Sequence, residues 1–265
     1  MGPYLFIDGA YLRARLEYIA RIFSTDPLDF NYRTFSAAIN AEKAFYYDCL
    51  PAKSVTENSE AYEKRVEPNR KFISRLRALP GYHVFLGEAI KSGGTTRQKG
   101  VDIRIAVDML THSFRRNINR ALLFAGDRDF EPLVSALVRE GIYVAIGYHP
   151  RSVAQELLDA ADDRLEYDTP KLWNLATPQF QKRFPAPQVA FTSGRDGLSV
   201  PDGLVLRTGT FETEEVRLYK GPNLCQLYLP RVDDYGNKRY EFIYHPDENV
   251  IMKLLKERHI VVSWH

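Results

Sequence analysis

The chain has 265 residues and a formal net charge of +2, long enough for one large domain or one domain with a smaller appendage, and too near neutral for charge alone to indicate nucleic acid. No apolar run reaches bilayer-spanning length, and the start MGPYLFIDGAYL has no basic lead and is interrupted by Asp8, so neither a membrane anchor nor a secretion signal is expected. Cys49 and Cys225 are the only cysteines and neither stands in a metal-type spacing, which makes a reducing cytoplasm the expected location.

Residues 3–7, PYLFI, read as a short buried strand ending at Asp8-Gly9. A helix follows with Leu12, Leu16, Ile19 and Ile22 on one face. Residues 44–47 read as a second strand ending at Asp48, and 59–78 as a long polar helix stopped by Pro80-Gly81. Residues 82–86 form a third strand, and KSGGTTRQK at 91–99 a loop or hairpin edge. In 101–114, Val101, Ile105 and Met109 repeat at spacing four, a helical pattern. Strands at 121–125 and 142–146 then alternate with helices at 130–140 and near 152–160. Such alternation predicts an α/β fold, a parallel sheet covered on both faces.

The pattern changes after about residue 176. Pro178, Pro185 and Pro187 mark 177–188 as a linker. Short strand-like runs follow at 203–206, 216–219, 226–229 and 240–244, then a helix at about 247–258 and a strand-like 260–264. The expected domains are therefore 1–176, and 189–265 as a small α+β region.

In an open parallel sheet, ligands bind where strands end at their carboxyl edge. Asp8 and Asp127 both stand just past a predicted strand. Asp is also a common turn residue, so one such aspartate has an ordinary structural reading. AGDRDF at 125–130 is more specific: carboxylates two residues apart at a strand-to-helix turn can converge on one hard cation such as magnesium, which prefers oxygen ligands. A helix-capping role for Asp129 is weakened because Pro132, three residues on, has no N–H to donate. Asp102 lies in the first turn of its helix, where an acid suits the dipole, yet it borders the apolar face and is expected to point toward the sheet. Asp108 is expected to pair with Arg104, and Asp48 to be structural or to flank the pocket.

Lys91, Arg97 and Lys99 lie in one acid-free stretch, and Arg115, Arg116 and Arg120 in another. They are either a solvated surface or a basic surface beside the acidic pocket. Tyr11 is placed to stack on a base, whereas Phe130 is a core residue. The sequence contains no Walker A, dinucleotide-glycine, HExxH or G-x-S-x-G pattern.

Three segments, FIDGAYL at 6–12, QKGVDIRIAVDML at 98–110 and AGDRDFEPLV at 125–134, together resemble the NYN domain of the PIN-like nuclease superfamily, most closely its LabA-like branch. The resemblance covers roughly residues 3–170. It implies a Rossmann-like (PIN-like) sheet and a Mg2+- or Mn2+-dependent nuclease acting on RNA. Carried over by position, Asp8, Asp102, Asp127 and Asp129 are the expected metal-binding and catalytic acids. Ala125 and Arg128 stand where the family usually has serine, and Tyr11 where many relatives have asparagine.

The reading is then a metal-dependent endoribonuclease for single-stranded or looped RNA, with Lys99, Arg97, Arg128 and Tyr11 contacting substrate. The alternative is a catalytically inactive RNA-binding or assembly module that retains the fold. The C-terminal region is the expected place for self-association or a protein partner.

Overall fold

The structure is a computed structural model. It describes all residues except 1, 55, 93–94, 193–203 and 234, and for 88–92 and 95–99 it describes the backbone alone. The side chains of Lys91, Arg97 and Lys99, and residue 203, therefore lie outside the described residues. Two compact units divide the chain: residues up to 17 with 30–169, and residues 18–29 with 170–265.

The first unit is built on strands β1 (Tyr4–Asp8), β2 (Lys43–Cys49), β3 (Tyr82–Ser92), β4 (Thr95–Lys99), β5 (Arg120–Phe124), β6 (Tyr143–Tyr148) and β7 (Asp163–Glu166). They form one sheet in the order β4-β3-β2-β1-β5-β6-β7. All neighbours are parallel except β3 and β4, which pair antiparallel as a hairpin. The helices are α1 (Gly9–Phe23), whose second half belongs to the other unit, α2 (Tyr32–Ala38), α3 (Ser59–Arg77), α4 (Val101–Phe114), α5 (Glu131–Arg139) and α6 (Gln155–Asp159). Side chains of Asn31 and Asn58 cap α2 and α3, accepting from the Thr34 and Ala61 N–H groups.

Alternation along the strands sorts residues to the two faces. Tyr4 and Phe6 of β1, Phe45 and Tyr47 of β2, Leu123 of β5 and Ile146 of β6 pack in one core with Val101, Ile105 and Met109 of α4 and Leu133, Val134 and Leu137 of α5. The intervening residues Leu5, Ile7, Tyr46 and Phe124 are buried on the other face. There the Phe35 ring of α2 meets Phe124 at 5.4 Å, and Phe72 of α3 meets Tyr46 at 5.8 Å. Both faces are covered, which is why the strands read as continuous apolar runs. Each fully buried large apolar side chain contributes about 1.5–3 kcal/mol.

The second unit holds α7 (Thr169–Asn174) from Pro170 on, α8 (Pro178–Arg183) and strands β8 (Gln188–Thr192), β9 (Leu204–Phe211), β10 (Glu214–Lys220), β11 (Cys225–Val232) and β12 (Lys238–His245). Helix α9 (Glu248–Glu257) and β13 (Ser263–Trp264) complete it. Its sheet is antiparallel, in the order β13-β9-β10-β11-β12-β8. Ile251, Leu254 and Leu255 of α9 are buried, and the fully buried Glu241 is paired by Arg231 at 2.7 Å and by Arg258. Residues 178–183, in the stretch read as a linker, form α8 because Thr177 caps it and Pro178 starts it. Among the described residues no helix is long and apolar enough to cross a membrane.

Candidate metal centre

Strand order reverses between β1 and β5. From β1 the chain builds outward through β2 and β3; from β5 it builds the other way through β6 and β7. Such a switch point opens a crevice at the carboxyl ends of the two central strands. Asp8 is the last residue of β1, and Asp127 follows β5 by three residues.

Asp8 Oδ1 accepts from the backbone N–H groups of Ala10 and Tyr11, both at 3.0 Å, and so starts α1. Burial pushes its carboxyl up to about 6; the two N–H groups oppose this, while the charges of Asp102 and Asp48 add to it. Gly100 precedes α4 with φ +82°, a left-handed turn that a side chain disfavours, and this turn brings Asp102 into the helix's first turn. The Asp102 carboxyl is raised first by partial desolvation from the groups around it, then by the charges of Asp127 and Asp129.

Asp102 departs from expectation in one respect. It is exposed, although it shares the sheet-facing side of α4 with Val101, Ile105 and Met109, because it stands in the first turn at the end of the helix. In AGDRDF the capping acid is Asp127. Its Oδ1 accepts from the Asp129 N–H at 3.0 Å and starts a 3-10 turn, Arg128–Phe130, before α5. Helix α5 has no side-chain cap, so Asp129 does not serve as one. Phe130 is buried at 2% exposure, as a core residue should be.

Arg128, between two acids, is turned to Glu156 at 3.4 Å, both exposed. Among the described residues no Lys or Arg pairs with Asp8, Asp102, Asp127 or Asp129. Beside Asp129 a cleft of about 680 Å3 is lined by Arg128, Glu131, Ser135, Glu156 and Asp159. Also among the described residues, no group of three or more His, Cys, Asp or Glu side chains is arranged to hold a metal ion.

The neighbours of the four acids are more ordered than the sequence indicates. Asp48 is buried at 3% exposure, paired with Arg13 and bonded by Tyr46 Oη at 3.0 Å. Asp108 pairs with Arg104 at 3.0 Å, as expected, and also accepts from Tyr47 Oη. The phenol oxygen of Tyr11 accepts from the His149 N–H at 2.9 Å and from Ser152 Oγ at 3.1 Å, and its ring lies 5.6 Å from Phe124. A Cβ at Gly126 would collide with that ring and with the Ser152 carbonyl. Glycine is required there because the loop after β6 closes over Tyr11. Ser152 and His149 were missed in sequence; their one signal was a position just past a predicted strand at the carboxyl edge.

The basic-surface expectation is corrected in half. Arg115 and Arg116 follow the C-terminus of α4, and Arg120 starts β5. Asp102 is at the other end of a 14-residue helix, about 20 Å away. Within one chain these arginines cannot border the acids. Arg120 instead lies over the Tyr143 ring at 4.7 Å.

Among curated proteins none matches this chain. A crystal structure of a protein of unknown function from Vibrio parahaemolyticus is similar, with 21% identity and a TM-score of 0.47, over 62% of this chain and 91% of that one. The sequence profile of the NYN domain matches residues 4–168, the span that carries all four acids and both central strands. By that match the chain belongs to the NYN domain family, a PIN-like nuclease fold.

Proposed function

We propose that this chain is a metal-dependent endoribonuclease acting on single-stranded or looped RNA, with Asp8, Asp102, Asp127 and Asp129 as its catalytic acids. The observation that carries the reading is position: Asp8 ends β1 and Asp127 follows β5 at the switch point of the sheet, with no basic partner for the four acids among the described residues. The donor set fits Mg2+ or Mn2+: it is all carboxylate oxygen, the chemistry hard cations prefer. Bound there, the cation would lower the pKa of a water and offset charge on the phosphate.

The protein's own residues supply the rest. Asp8 and Asp127 are anchored by backbone N–H groups through Oδ1, which leaves each Oδ2 for a ligand. Lys99 and Arg97, on β4, and the exposed Arg128 neutralise substrate phosphates. Tyr11 holds the loop after β6 through the His149 N–H and Ser152 Oγ that its phenol oxygen accepts from. Hydrolysis would leave a 5′-phosphate and a 3′-hydroxyl. Both cysteines are free, which supports a reducing, cytoplasmic setting.

The test is cleavage of a labelled single-stranded RNA with magnesium or manganese, against chelator. Activity should require the metal and fall at least about 100-fold in Asp127→Asn. Equal cleavage by variant and wild type would refute the reading. One observation favours a second reading, an RNA-binding module without turnover: Arg128 stands between Asp127 and Asp129, exposed, where a cation repels a metal ion and attracts phosphate. Salt-sensitive RNA binding with no metal-dependent cleavage would select it.

A further inference from the structure

Helix α4 faces the sheet with Val101, Ile105, Met109 and Ser113, all buried. The opposite side of such a helix is ordinarily polar. Here it carries Ile103, Val107 and Phe114, with Leu110, which also packs against the core, on its flank; the four are spaced four, three and four residues apart, a straight stripe along the helix. Ile103 is 70% exposed, Val107 49% and Phe114 66%, while Leu110 is half-buried. Single exposed apolar residues are common, but an aligned set marks a contact surface.

We propose that this stripe is the interface of a homodimer, in which two α4 helices pack antiparallel about a two-fold axis. The spacing is its own complement. Reversing the helix sets Ile103 against Phe114 of the partner subunit and Val107 against Leu110 of the partner subunit, the self-matching pattern an isologous contact requires. The charges agree. Asp102, near Asp127 and Asp129, is at the N-terminal end of α4, while Arg115 and Arg116, exposed and unpaired among the described residues, follow the C-terminal end. Antiparallel packing places the basic end of each copy at the acidic end of the other, twice by symmetry; a parallel pair would place acid against acid.

The dimer therefore restores what the single chain lacks. The Arg115–Arg116 turn of each copy becomes a phosphate-binding element beside the other copy's acids. This part rests on the RNA-directed reading above. The stripe is about 16 Å long and covers less than the ~800 Å2 per partner of a standard stable interface, so association is expected in the micromolar range.

Sedimentation velocity on the full chain, from about 1 to 100 µM, reads the interface directly. Wild type should shift from monomer to dimer. Val107→Lys and Ile103→Lys should stay monomeric with unchanged circular dichroism, since both positions are exposed. Affinity for a labelled uridine 12-mer in chelator reads the composite site. Val107→Lys should bind about ten-fold more weakly than wild type at concentrations where wild type is dimeric, despite its added positive charge. The Arg115→Ala/Arg116→Ala variant should lose as much while remaining a dimer. Combining the two changes should cost no more than either alone. A monomeric wild type, a dimer that survives both lysine substitutions, or losses that add would overturn the proposal. Dimerisation and binding as described, with no cleavage in magnesium, would refute the nuclease reading and leave the dimer standing.

Discussion

Asp8 carries the largest conflict at the residue scale. Its carboxyl is buried beside other acids, and its folded-state pKa of about 6 lies above the ordinary 3.8. Between those values the folded protein binds more protons than the unfolded one, so stability falls as pH rises from about 3.8 to about 6 and stays lowered above. Removing the charge without the shape should relieve this. Asp8→Asn in chelator is expected to be about 1–3 kcal/mol more stable than wild type at pH 7.5 and equal to it near pH 4, with cleavage lost; equal denaturation midpoints at both pH values would contradict this. His149 works in the opposite direction. It is fully buried, and burial pushes its ring down to about 4 from 6.5. The unfolded state binds the extra proton between those values, so stability is lost as pH falls from about 6.5 to about 4. His149→Gln should flatten that limb of a pH–stability curve.

At the element scale, the acids depend on how each secondary structure begins or ends. Asp8 starts α1, Asp127 starts the 3-10 turn, and the Gly100 turn places Asp102. Gly100→Ala should cost about 1–2 kcal/mol and lower activity, because it strains the backbone that places Asp102. Helix α3 shows a sequence rule outweighed by context. Pro68 lies inside it, exposed, and the helix continues because Val66, Ile73 and Leu76 are buried on its other face. Pro68→Ala is expected to raise stability by about 1–3 kcal/mol in thermal or urea unfolding and leave RNA cleavage unchanged.

For the whole molecule, the near-zero net charge means that RNA affinity must come from local groups, and metal affinity from local acids. Millimolar magnesium should raise the thermal midpoint of wild type, because a ligand that binds only the folded state stabilises it. Asp127→Asn should lose most of that gain. A shift of the same size in both would remove Asp127 from the metal site.

The parallel sheet was legible because its strands are covered on both faces and so appear as apolar runs separated by helical periodicity. The positions of Asp8 and Asp127 followed from the same pattern, since each stands where such a run stops. Partnership was not legible. Arg128 turning to Glu156, Asp48 enclosed by Arg13 and Tyr46, and Tyr11 held by Ser152 and His149 all join residues distant along the chain or in a choice of rotamer. The exposed side of α4 was hidden for a related reason. Its apolar residues fit the same helical period as the core, and only the position of the sheet decides which stripe is buried. Local sequence fixes the period and ends of each element; which groups meet depends on the chain's path through space, and that is set by tertiary packing.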